Sequence, residues 1–131
     1  MARFVDIETP YRGANDTEVK QNIRYARACV RDSLSRGEIP FASHLFFTQP
    51  GILDDNNPQE RDRGIIAGKT LIEALKAATI VYTDRGTSEG MKLGIEKAQK
   101  SGRAVEYRTL GEDWEKDFSP HEGVHSHNGV W

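Results

Sequence analysis

The chain has 131 residues, 37% of them hydrophobic, enough for one domain with a moderate core and too few for two. Its 18 Lys and Arg stand against 20 Asp and Glu, a net charge of -2, which argues against polymeric DNA or RNA as a partner. No stretch approaches the roughly 20 apolar residues of a membrane span. The opening Met1-Ala2-Arg3-Phe4-Val5-Asp6 also lacks the apolar run of a signal peptide, so no membrane partner and a cytoplasmic location are expected.

Arg3 to Glu8 reads as a first strand, carrying Phe4, Val5 and Ile7 and cut off at Thr9-Pro10. After the loop Thr9 to Ala14, Asn15 and Glu18 have capping-box spacing. Val19, Ile23, Ala26, Val30 and Leu34 then recur at helical intervals until Gly37. Cys29, the single cysteine, falls inside this helix, where a buried reduced thiol is the ordinary reading. Ile39 to Ala42 reads as a brief second strand, and His44 to Asn57 as a long loop rich in turn formers. Asn57 as cap, Pro58 at the first helical position and Glu60 open a second helix expected to run to about Ala77. Its Gly64 and Gly68 share a face and mark close approach of a backbone or a ligand, or tight helix-sheet packing. Ala78 to Thr83 is the clearest strand, too apolar to have a wet face, and belongs at the centre of a sheet. Ser88 caps a third helix ending at Gly102, and Ala104 to Arg108 reads as a fourth strand.

Strand and helix alternate throughout, which favours a doubly wound α/β domain, Rossmann-like, with a short parallel sheet and helices on both faces. The domain is expected over residues 1–110. Residues 111–131 form an acidic extension that docks on a neighbouring surface or stays mobile. It carries His121, His125 and His127, a set that could ligate a transition metal but has no cysteine beside it. The reading is a tail without a metal.

Ligands of open parallel sheets bind beyond the carboxyl ends of the strands, where strand order reverses. Two loops qualify. The first offers Tyr11, Arg12 and Gly13 ahead of a helix N-terminus, as an anion seat or as a plain turn with a solvated arginine. The second runs from Asp84 through Gly86 and Ser88 to Met91 and sets Glu89 in a first helical turn, where the dipole favours a carboxylate. Such a glutamate suits attack on an anomeric carbon; the bland alternative is that it only complements the helix dipole. His44, just after the second strand, is placed to contact a base or to be an ordinary half-buried histidine. Asp54, Asp55 and Asn56 lack the ligand spacing of a calcium loop and read as a turn before a helix, the functional alternative being that they or Arg61 reach the pocket as a lid. Arg61, Asp62 and Arg63 read as a solvated or intersubunit charge cluster.

Three segments carry a resemblance: Thr9-Pro10-Tyr11-Arg12-Gly13, Leu53 to Arg61, and Asp84 to Met91. With them the chain resembles the nucleoside 2-deoxyribosyltransferase-like superfamily, in particular its small bacterial and phage branch with the pattern SPYRG, LDD-N-P-ER, D-R-SEGM. The transferase pattern E-x-G-x-A is here Glu89-Gly90-Met91. The resemblance implies a flavodoxin-like sheet, a homodimer or larger homo-oligomer, and cleavage or exchange of the N-glycosidic bond of a nucleoside or nucleoside 5′-monophosphate. It makes Glu89 the nucleophile, Asp84 the residue that orients it or holds sugar hydroxyls, and Tyr11 a wall of the sugar site. Arg12 and Ser88 become phosphate contacts, with Gly13, Gly86 and His44 completing the substrate site. No cofactor is needed for such chemistry. A non-catalytic nucleotide sensor or sponge on the same fold is the alternative, and a partner-binding protein with a vestigial pocket is a third.

Overall fold

A computed structural model describes residues 2–117. Four parallel strands form one sheet: β1 (Phe4–Glu8), β2 (Ile39–Phe41), β3 (Ala78–Tyr82) and β4 (Val105–Arg108), in the order β2-β1-β3-β4. Val5 pairs with Pro40 on one side and Ala78 on the other, and Thr79 pairs with Val105. Strand order reverses between β1 and β3, so right-handed crossovers send helices to opposite faces. The structure is thus the doubly wound α/β domain expected from the alternation of elements, with β3 buried at every position.

Helix α1 (Asp16–Ser35) covers one face, starting where the Asn15 side chain accepts from the Glu18 amide at 2.9 Å. Tyr25 and Cys29 of α1 pack against Val5 and Ile7 of β1 and Ala78, Ile80 and Tyr82 of β3. The buried stripe is therefore rotated from the one read in the sequence. Asn22, Tyr25, Cys29 and Ser33 face inward while Leu34 is exposed, because polar atoms of this stripe have partners inside. Tyr25 reaches Asp84, and Ser33 donates to Glu38 at 2.8 Å.

On the other face lie α3 (Pro58–Leu75) and α4 (Glu89–Lys100). Helix α3 stops two residues before the expected end because Lys76 turns left-handed, with φ 52°, and its amide closes on the Ile72 and Glu73 carbonyls. Part of the expected long loop is instead a short helix, α2 (Ser43–Phe46), and Ala42 leaves the strand to cap it. A last turn, α5 (Trp114–Asp117), lies within the expected extension; Trp114 packs edge-on against Tyr25 at 5.2 Å between ring centroids, and Leu110 joins the same core. His121, His125, His127 and Trp131 lie outside the described residues. Among the described residues no helix is long and apolar enough to cross a membrane.

Candidate functional site

Strand periodicity decides what the second sheet face carries. Side chains alternate across a strand, so Val5 and Ile7 turn to α1 while Asp6 and Glu8 turn to α3 and α4. Above them opens a cavity of about 440 Å³ between the sheet, α3 and α4, reaching the carboxyl ends of β1 and β3 at the strand reversal. That volume is in the range of small-molecule sites.

The mouth is built from three loops. Thr9 is buried as the chain leaves β1, and its Oγ1 lies 2.7 Å from Nε2 of His44 on α2. Burial holds the His44 pKa down to about 4, so the ring is neutral at pH 7. Tyr11 meets this ring edge-on, and Asn22 donates to the Tyr11 and Arg12 carbonyls at 3.0 and 3.3 Å. The oxygen of the same amide accepts from Arg85 at 2.9 Å, so one buried asparagine ties the loop after β1 to the loop after β3. Ser88 caps α4 by accepting from the Met91 amide at 3.3 Å. Glu89 opens the helix with its side chain 88% exposed and pairs with Lys92 at 3.2 Å.

The floor holds the carboxyl pair. Thr79 donates to Asp6 at 3.0 Å, and Arg103 fixes Thr79 from behind with a 2.9 Å hydrogen bond. Glu8 lies against α4 where that helix has Gly94: a Cβ there would fall 2.5 Å from Glu8 Oε2. Burial, and then the neighbouring Asp6, push the Glu8 carboxyl well above the usual carboxylate range. Burial also raises Asp6, against the opposing hydrogen bond from Thr79. Lys69 on α3 is pulled down to about 8, first by burial and then by Lys97 beside it.

Of the residues singled out in the sequence, Tyr11, Arg12, His44, Ser88 and Glu89 line this cavity. Gly13 and Gly86 instead line a shallower adjoining groove, shared with Arg12 and Ser88, and Gly86 has φ 85°. Asp84 lines neither. Its oxygens accept from the Tyr25 hydroxyl and from the amides of Leu110 at 2.9 Å and Gly111 at 3.0 Å. Burial works against its charge, but the hydrogen bonds from Tyr25, Leu110 and Gly111 outweigh it and hold the Asp84 carboxyl below its ordinary range. Arg12 is engaged by Asp55 at 3.2 Å, and Arg61 approaches the same carboxylate at 3.6 Å. The segment read as a turn therefore does two things: Asp54 accepts from the Asn56 amide, and Asp55 with Arg61 reaches the cavity wall. Gly64 and Gly68 let α3 approach Phe47, Leu53 and Ser43 while lining the cavity. Among the described residues no group of three His, Cys, Asp or Glu is arranged to hold a metal ion.

Sequence reasoning missed Asp6, Glu8, Lys69 and Arg103. The signal was the polar half of Phe4-Val5-Asp6-Ile7-Glu8. In a strand covered on both faces, two acids at alternate positions must sit under a helix.

Fold and cavity define a doubly wound α/β domain with a cavity of small-molecule size at its strand reversal. Residues 3–108 match the family model described as a domain of unknown function (DUF7768), and the chain belongs to that family. Neither a curated protein nor a solved structure matches it.

Proposed function

We propose that the cavity binds a nucleoside or nucleoside 5′-monophosphate and that the protein cleaves or exchanges its N-glycosidic bond. The observation that carries this reading is the convergence of Tyr11, Arg12, His44, Ser88 and Glu89, from loops after three different strands, on one cavity of about 440 Å³. The Glu89 carboxylate attacks C1′ and forms a glycosyl ester, which water or a second base then resolves. Tyr11 flanks the sugar. Arg12, exchanging Asp55 for the ligand, and Ser88 take the phosphate. Asp84 has no part in the reacting groups, since its oxygens are committed to Tyr25, Leu110 and Gly111. A cytoplasmic homodimer or larger homo-oligomer accompanies this reading, supported by the exposed Phe4 and Ile39 on neighbouring strands at the open β2 side of the sheet.

One observation favours a second reading, a nucleotide sensor or sponge. Glu89 is 88% exposed and, among the described residues, held by Lys92 alone, which does not aim it at a bound sugar. Wild type and Glu89→Gln, incubated with ribo- and deoxyribonucleosides and their 5′-monophosphates, distinguish the two by chromatography for free base. Base released by wild type alone supports the enzyme. Binding that raises the melting temperature without any release refutes it and leaves the sensor.

A further inference from the structure

The carboxyl pair under the cavity has no role in the chemistry above. Glu8 is enclosed by β1, α3 and α4, yet it belongs to the cavity lining and keeps part of its surface open. Gly94 is what makes room for its carboxyl group. The groups facing this pair are Lys69 and Glu73 from α3, Lys97 from α4 acting through Lys69, and Arg103, which precedes β4. Asp6 is the better supported member as an anion, with Thr79 donating to it and Arg103 behind Thr79. Glu8 has no such donor among the described residues, and a largely enclosed acid beside a second carboxyl group keeps its proton. At the mouth, Glu89 is solvated and paired with a lysine. One cavity thus sets Glu8 and Glu89 in opposite environments, the arrangement that separates an acid from a nucleophile.

We infer that Glu8 is the proton donor of this site, a role that rests on the glycosidic reading. As Glu89 bonds to C1′, the bond from C1′ to the base nitrogen breaks and its electron pair goes to the base, which takes the Glu8 proton. Glu8 is left as a carboxylate facing Lys69. Water then attacks C1′ and returns a proton to Glu8, freeing the sugar and the Glu89 carboxylate; in exchange, the incoming base returns it instead.

The test compares wild type with Glu8→Gln on two leaving groups: 5′-monophosphates of unmodified purines, and 7-methylguanosine 5′-monophosphate, whose cationic base departs without protonation. The expected result is a kcat loss of about 100-fold or more on the unmodified nucleotides and of about threefold or less on the methylated one. The high-pH limb of the wild-type rate profile should also disappear in Glu8→Gln. Gly94→Ala, whose new methyl displaces the Glu8 carboxyl group without removing it, should show the same selective loss and guards against a variant that fails to fold. Equal loss on both leaving groups, or none on either, overturns the Glu8 assignment while base release by wild type preserves the glycosidic reading. No release by wild type from any nucleotide overturns both.

Discussion

Asp84 separates a structural reading of the loop after β3 from a chemical one. In Asp84→Asn the side chain keeps its shape, but one acceptor oxygen becomes a donor that must face the donors now satisfied by the carboxylate. These are the Tyr25 hydroxyl and the Leu110 and Gly111 amides, the last two at 2.9 and 3.0 Å. Hydrogen bonds to a charged acceptor contribute roughly 1.5–3 kcal/mol each. Losing one and opposing another, with water compensating at this half-buried site, costs about 2–3 kcal/mol. With a urea m-value of ~2 kcal/mol/M, the midpoint falls by about 1 M. The natural probe is Trp114, which lies against Tyr25 just beyond the anchored amides. Its emission in a Trp131→Phe background, which removes the second of the two tryptophans, reports both the midpoint and the docking of α5. An unchanged midpoint together with unchanged Trp114 emission refutes the clamp. If base release collapsed at the same time, Asp84 would belong to the chemistry after all.

Two further predictions concern stability. Arg108 first, then Ser33 and Arg3, hold the half-buried Glu38 carboxyl at about 2, below its ordinary 4.5. Its folded pKa is depressed, so its contribution is complete above about pH 4.5 and is lost as pH falls towards 2. The contribution is at most about 3 kcal/mol. Urea titrations between pH 5 and pH 3 should show wild type losing stability more steeply than Glu38→Gln, and parallel slopes would exclude this origin. The second prediction is a difference of sign between glycines. Gly68→Ala puts a methyl 2.6 Å from Cβ of Ser43 in α2, which cannot swing away, so overpacking should exceed the helix-propensity gain and destabilise by about 1–2 kcal/mol. Gly90→Ala meets, among the described residues, Ser88 Oγ alone at 3.9 Å and should stabilise by roughly 0.5–1 kcal/mol. Thermal melts of both variants check the pair, and shifts of the same sign would contradict the packing argument.

Local chemistry made much of this domain legible in its sequence. Asn15, Asn57 and Ser88 each cap the helix they precede, because a short polar side chain beside free amides has one favourable use. Ala78 to Tyr82 is buried throughout, as an unbroken apolar run between turn formers requires. Alternation of elements then leads to the parallel, doubly wound sheet, and the strand reversal indicates which loops face a ligand. Tyr11, Arg12, His44, Ser88 and Glu89, singled out by that rule, line one cavity. Tertiary structure alone decided how the remaining polar groups are divided. Asp84 follows β3 as a site residue would, but a tyrosine 59 positions earlier and two amides after β4 take its oxygens. Asp6 and Glu8 look like the wet side of a strand until α3 and α4 close over them. Which acid becomes a clamp and which a buried proton store depends on partners distant in sequence, and hydrogen bonding and desolvation act only once folding brings those partners together.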